Sequence, residues 1–124
     1  MTGKRVLSVG QCLADNGSIT RLLRTEFTAD VLPLHSAHEA LERLRRERFD
    51  LVLVNRVFDA TGEGGLDLIR AVKADREIRD QPIMLVSNYP EPQAEAVAAG
   101  AVPGFGKDAL HDPVTAEKLR PYLA

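Results

Sequence analysis

The chain has 124 residues, of which 44% are hydrophobic and 27% are charged, and its formal net charge at pH 7 is −2. This composition is that of a globular protein with one hydrophobic core, and it offers no general basic field for nucleic acid. The single cysteine, Cys12, excludes an internal disulfide and favours a reducing compartment, so we expect a cytoplasmic location. The apolar-rich segment near the N-terminus is too short to predict a signal peptide or a membrane span. We expect a single domain over residues 1–124.

Apolar runs and helix-cap signals alternate from the start of the chain. Arg5–Val9 predicts a first strand that ends at Gly10, and Asp30–Leu34 predicts a second. Between them, Ser18 predicts the cap of a first helix. The helix would be amphipathic because four apolar residues share one face: Ile19, Leu22, Leu23 and Phe27.

A capping box and a strongly apolar strand follow. Ser36 and Glu39 have the spacing of a capping box, which predicts a second helix that continues to about Arg48. Leu51–Val54 predicts a third strand with apolar side chains on both faces, as in a central parallel strand covered by helices. That strand delivers one polar side chain, Asn55, at its carboxyl end.

The alternation continues through a third helix and a fourth strand. Gly64 and Gly65 are predicted to open the helix, and Pro82–Val86 predicts the strand, which ends at Ser87. The apolar side chains predicted to face inward from the helix are Leu66, Ile69, Ala71 and Val72.

The last third of the chain gives a fourth helix, a weak strand and a final helix. Pro92 in a first turn and Gly100 after the last residue bound the fourth helix. Ala101–Gly106 predicts a poor fifth strand, and Asp112 caps a last helix with Pro113 at its first position. Five strands that alternate with five helices predict a doubly wound α/β fold with a parallel sheet, right-handed crossovers and helices on both faces.

Several segments resemble the receiver domains of bacterial response regulators in sequence, order and spacing. They are Arg48–Val54, Gly65–Asp75, Gln81–Ser87, Ala99–Ala101 and Lys107. The resemblance covers almost the whole chain. It implies a CheY-like (flavodoxin-like) five-stranded parallel sheet of order 2-1-3-4-5, and a part in two-component signal transduction.

The same resemblance implies a degenerate phosphorylation pocket. Ser87 and Lys107 match the residues that contact the phosphoryl group in receivers, but Asn55 stands at the position of the phosphoacceptor aspartate. Gly10 and Gln11 stand where receivers have the acidic pair that holds Mg²⁺. An amide has no anionic oxygen for attack on phosphorus, and it is a weaker Mg²⁺ ligand than a carboxylate. We therefore expect a pseudo-receiver that binds no metal or other cofactor and is not an enzyme.

The residues that switch conformation in receivers are also replaced. Gly104 stands at the position of the aromatic residue that rotates on phosphorylation, and Phe105 comes one place later, on the opposite side of the strand. Asn88 stands where receivers have a small residue beside the phosphoryl group. We therefore expect one dominant conformation in this part of the molecule.

The predicted function is a phosphorylation-independent, receiver-like protein-interaction module in bacterial signal transduction. By resemblance, its docking surface would be formed by the fourth helix, the fifth strand and the fifth helix. The candidate surface residues there are Tyr89, Phe105 and Leu110. The partner would be another protein or a second copy of the chain, with neither nucleic acid nor a membrane involved.

Two other functions stay open. One is a sensor that binds a small anion or nucleotide near Lys107 and the segment Gly10–Ser18. The other is a receiver that is phosphorylated on a substitute aspartate, either Asp15 or Asp59. A plainer interpretation of the polar cluster is that Lys107 bonds the side-chain carbonyl of Asn55 and holds no ligand at all.

Overall fold

The computed structural model describes residues 3–124, which form five strands in one parallel sheet and five α-helices around it. The sheet has the order β2-β1-β3-β4-β5, as predicted. The strands are β1 (Arg5–Val9), β2 (Asp30–Leu34), β3 (Leu51–Asn55), β4 (Ile83–Val86) and β5 (Val102–Phe105). The helices are α1 (Leu13–Phe27), α2 (Ala37–Arg46), α3 (Gly65–Ala74), α4 (Pro90–Ala98) and α5 (Pro113–Leu123). No helix within residues 3–124 is long and apolar enough to cross a membrane.

Two hydrophobic cores lie on opposite faces of the sheet, and β3 contributes to both. Leu51 and Leu53 face the core that α1 and α5 cover, whereas Val52 and Val54 face the core that α2, α3 and α4 cover. These four side chains are fully buried. The continuous apolar run of β3 is therefore explained by a position in the middle of the sheet, with both of its faces covered.

The start of α1 differs from the prediction. The helix begins at Leu13, and its cap is Cys12, whose Sγ accepts the backbone N–H of Asp15 at 3.5 Å. Ser18 is not the cap; it lies within the helix, where its hydroxyl donates to the carbonyl of Ala14 at 3.2 Å. A thiol is a weak acceptor and cysteine is not among the usual cap residues, which explains why the start of α1 was predicted at the wrong residue.

Smaller differences concern helix ends and faces. Ser36 caps α2 as predicted and accepts the N–H of Glu39 at 3.2 Å, but the helix ends at Arg46. In α3, Ile69 and Val72 are buried as predicted and Leu68 is buried as well, while Ala71 is exposed. Pro90, which comes before Pro92, is the first residue of α4. These shifts leave the order of the elements unchanged.

Candidate functional site

The polar residues at the carboxyl edge of the sheet meet in one cavity. Asn55 ends β3, Ser87 follows β4, and Lys107 comes shortly after β5. Together with neighbours in the adjoining loops, the three line a cavity of about 220 Å³. The structure thus brings together the polar groups that the sequence places at the ends of neighbouring parallel strands.

Asn55 uses its side-chain amide to join two loops. Its Nδ2 donates to the carbonyl of Gly10 at 3.1 Å and to the carbonyl of Val57 at 2.7 Å. Its Oδ1 accepts the backbone N–H of Arg56 at 3.1 Å. The Gly10 carbonyl also accepts the N–H of Asp59 at 3.0 Å, so both of its lone pairs are used. Hard cations bind backbone carbonyl oxygens, and here the Asn55 amide takes up those of Gly10 and Val57.

The groups around Asn55 do not fit the magnesium ion of receivers. Gln11 is 5% exposed, and both polar atoms of its amide are buried without a partner within residues 3–124. No acidic side chain lines the Asn55 cavity. Residues 3–124 also contain no group of three or more histidine, cysteine, aspartate or glutamate side chains that could hold a metal ion. A neutral ligand set of this kind gives Mg²⁺ none of the carboxylate oxygens that it requires.

Lys107 pairs with Asp15 and does not bond Asn55. Its Nζ lies 2.7 Å from Oδ2 of Asp15, which corrects the expectation of a contact with the Asn55 carbonyl. The hydrogen bond from Lys107 lowers the pKa of the Asp15 carboxyl, and the contact with Cys12 acts in the same direction. Asp15 reaches the lysine because α1 starts early enough to place it in the first helical turn.

Asp59, the other candidate acceptor, belongs to a separate part of the surface. Its backbone N–H bonds Gly10, but the residue lines a different cavity, beside α1 and β2. It is exposed and is not among the residues that line the Asn55 cavity. Of the two candidate aspartates, only Asp15 contacts a residue of the predicted pocket through its side chain.

The free polar groups of the Asn55 cavity are mainly donors. The Ser87 hydroxyl oxygen accepts the N–H of Tyr89 at 3.2 Å, which leaves its proton available. Arg56 stacks over the Tyr89 ring, with 5.5 Å between the guanidinium carbon and the ring centroid. Arg56 was missed in the sequence, although it directly follows Asn55 and therefore had to lie at this edge. The cavity can attract an anion, and none of the side chains that line it is a carboxylate of the kind that accepts the phosphoryl group in receivers.

A glutamine of α4 fixes the junction between β4 and β5. The strands change register between Met84 and Val86, so the ladder leaves backbone groups unpaired. Nε2 of Gln93 lies 2.9, 3.1 and 3.3 Å from the carbonyl oxygens of Leu85, Ser87 and Phe105, and its two N–H groups are shared among them. Its Oε1 accepts the N–H of Gly104 at 3.3 Å. One side chain therefore contacts four main-chain groups and ties α4 to both strands.

Two more side chains hold the same junction. Oδ1 of Asn88 accepts the N–H of Asp108 at 3.0 Å, and Lys118 on α5 donates to the carbonyl of Gly104 at 2.9 Å. A Cβ at Gly104 would overlap the carbonyl oxygen of Leu85. The missing aromatic residue is thus a packing requirement of this chain, because no side chain larger than hydrogen fits there.

The predicted docking surface is partly wrong in its residues. Phe105 is 3% exposed and Leu110 is 7% exposed, and both pack in the core beneath α1 and α5. Tyr89 is exposed as expected, and Val97 on α4 is 45% exposed. Val97 lies in a shallow groove of about 500 Å³ that runs between α4, β5 and α5. The surface of these three elements is therefore apolar through Val97 and its neighbours, and not through Phe105 or Leu110.

The sequence matches no protein-family model and no curated protein. Solved structures, in contrast, are similar over nearly the whole chain. A response regulator from Thermotoga maritima is 26% identical, with a TM-score of 0.76 and coverage of 98% of each chain. The chemotaxis response regulator CheY4 of Vibrio cholerae is 20% identical, with a TM-score of 0.72 and coverage of 93% of this chain and 98% of that one.

A third similar structure is that of a phosphorylated protein. It is the cyanobacterial phytochrome response regulator RcpA, which is 17% identical with a TM-score of 0.77, and 99% of this chain and 96% of that chain are covered. At these identities the likeness is one of fold. The chain has the CheY-like fold of response-regulator receiver domains, with five parallel strands in the order 2-1-3-4-5.

Proposed function

We propose that this chain is a receiver-like protein-interaction module of bacterial signal transduction that acts without phosphorylation. It would bind its partner in the cytoplasm and would not itself be an enzyme. The observation that carries the proposal is the Asn55 amide, whose Nδ2 donates to the carbonyls of Gly10 and Val57. The acceptor position thus holds a neutral group that is already used in joining two loops.

Phosphoryl transfer needs a nucleophile and positive charge that compensates the transferring group. The Asn55 amide is a poor nucleophile, and the neutral groups at Gly10 and Gln11 supply no carboxylate for a divalent cation. Lys107 is the retained cation, but it is paired with Asp15. These features support the proposal that this edge of the sheet binds a partner and is not covalently modified.

The network around Gln93 supports a module with one dominant conformation. Its amide bonds four backbone groups, and Asn88 and Lys118 tie the same segments together. A protein whose binding-competent state is always populated avoids the loss of affinity that a minor state imposes. We therefore expect constitutive binding through α4, β5 and α5, to another protein or to a second copy of the chain.

Intact mass after incubation with acetyl phosphate and Mg²⁺ tests the first half of the proposal. We expect no mass gain in the wild-type protein. Asn55→Asp should also label poorly, because Gly10 and Gln11 still provide no carboxylate for the metal. Stable addition of one phosphate to the wild-type chain would contradict phosphorylation independence.

Affinity capture from a lysate of the native cell tests the second half. Val97→Asp places a charge in the groove of α4, β5 and α5, and it should release a partner that the wild-type chain retains. Leu13→Asp is the matched control, because Leu13 is 92% exposed on α1 and a charge there should leave the fold intact. Equal retention by both variants would place the docking surface elsewhere. Sedimentation of the purified chain separates self-association from binding to another protein.

One observation favours an alternative, which is phosphorylation on Asp15. This is the acidic side chain in contact with Lys107, at 2.7 Å. A carboxylate beside a lysine could accept a phosphoryl group if a cation were supplied from elsewhere. Mass labelling of the wild-type chain that disappears in Asp15→Asn would establish this alternative.

A further inference from the structure

Three depressions at the carboxyl edge of the sheet form one continuous trench. The Asn55 cavity, of about 220 Å³, shares Ser87, Asn88 and Tyr89 with a second depression of about 340 Å³. The second shares Gln93, Gly104 and Lys118 with the groove of about 500 Å³ beside Val97. The trench therefore runs from Arg56 past Tyr89 to Val97, across the loop that joins β4 to α4.

The Arg56 end of the trench carries uncompensated positive charge. Lys107 is neutralised by Asp15, but Arg56 has no ion-pair partner within residues 3–124. Ser87, whose hydroxyl proton makes no hydrogen bond within residues 3–124, lines the same cavity, and no acidic side chain lines it. The Arg56 guanidinium lies over the Tyr89 ring, and a guanidinium can bond both oxygens of a carboxylate at once. The chemistry of this end therefore selects an oxyanion.

The rest of the trench has a different character. Its middle section is lined by one acidic and one basic side chain, Asp108 and Lys118, which balance each other. Its far end is lined mainly by apolar groups, among them Val97, Ala98 and Pro103. The trench thus changes from cationic to neutral to apolar along its length, and a ligand that fills it must change in the complementary way.

We infer that the trench binds a linear segment of the partner protein, with an aspartate or glutamate side chain at the Arg56 end and an apolar side chain at the Val97 end. This inference rests on the proposed function and adds the chemistry of the partner. A free oxyanion would use only the first cavity and would leave the apolar end uncovered. A peptide carries both groups on one chain and covers the whole trench.

Selection from a displayed library of random peptides tests this inference with the purified chain. We expect the enriched sequences to share an acidic residue a few positions away from a bulky apolar one. A hydrogen-bonded contact to a charged group is worth roughly 1.5–3 kcal/mol, so Arg56→Gln should weaken the selected peptides by about 10- to 150-fold. Arg76→Gln removes one exposed arginine outside the trench and should change their affinity by less than about twofold.

Each other outcome of the selection overturns the inference. Enriched peptides without an acidic residue would show that the trench does not recognise a carboxylate. Acidic peptides that bind Arg56→Gln as tightly as they bind the wild-type chain would show that their carboxylate binds away from Arg56. A library that yields no binder would show that the trench is not a receptor for linear segments. In that last case the proposed function would still stand if Val97→Asp released a partner in the capture experiment, so the two failures are distinguishable.

Discussion

The two halves of the carboxyl edge of the sheet differ in how their polar groups are used. At the carboxyl ends of β1 and β3, the Asn55 amide bonds the carbonyls of Gly10 and Val57, so these two oxygens are taken up within the protein. At the carboxyl end of β4, the Ser87 hydroxyl keeps its proton free, and it lines an open cavity together with Arg56 from the loop after β3. The comparison teaches that the two halves are built independently: hydrogen bonds close the first, while the second keeps the open donors on which the proposed recognition depends.

The β4–β5 half should be the more sensitive to substitution, because its backbone is held by side-chain contacts. Gly104→Ala should cause the largest loss of stability. The added Cβ overlaps the carbonyl oxygen of Leu85, and backbone cannot move aside as a flexible side chain can. We expect a loss of about 3 kcal/mol or more in the free energy of unfolding, measured by urea denaturation. A fully stable Gly104→Ala, or a stable Gly104→Tyr, would show that the junction can open as it does in a switching receiver.

Gln93→Leu removes the amide that joins α4 to the two strands. It leaves the carbonyls of Leu85, Ser87 and Phe105 and the N–H of Gly104 without that partner. We expect a loss of about 2–3 kcal/mol, since unpaired buried polar groups cost roughly 1–3 kcal/mol each and some here keep other bonds. Hydrogen exchange should quicken at β5 and stay unchanged at β1.

The control for Gln93→Leu is Glu95→Leu, on an exposed position of the same helix. It should change the free energy of unfolding by less than about 0.5 kcal/mol. If the two variants were equally stable, the amide network would not be what holds this half in one conformation.

The two halves also differ in how far the sequence predicted them. β3 and its polar end were predictable, because a short apolar run that ends in a polar residue, Asn55, is typical of a central parallel strand. The Gln93 network was not predictable, because all four of its partners are backbone groups that a bulge in β5 brings within reach. The Lys107–Asp15 pair was missed because it depends on where α1 starts, and its cap is a cysteine.

Asn55→Asp tests whether the β1–β3 half is closed by the amide. The substitution replaces two N–H donors with an oxygen that faces the carbonyls of Gly10 and Val57. We expect a loss of about 1–2 kcal/mol without divalent cations, because oxygen then faces oxygen. Mg²⁺ should recover part of that loss, since a carboxylate beside two carbonyls is a weak cation site. Asn55→Ala, which supplies no charge, should lose stability without any recovery by Mg²⁺.

The smallest effect is expected for the ion pair that links the two halves, Lys107 on the β5 side and Asp15 on the α1 side. The side chains are 30% and 37% exposed, so water and salt screen the pair, and Asp15→Asn should cost only about 0–1 kcal/mol. The lysine holds the pKa of Asp15 below its usual range. The pair's contribution is therefore complete above the ordinary aspartate pKa of about 4, and it is lost as the pH falls through the lowered value. Urea denaturation of wild type and Asp15→Asn should differ at neutral pH and converge towards the acid end of that range. A difference that persisted unchanged in acid would mean that Asp15 stabilises the fold through its contact with Cys12 and not through its charge.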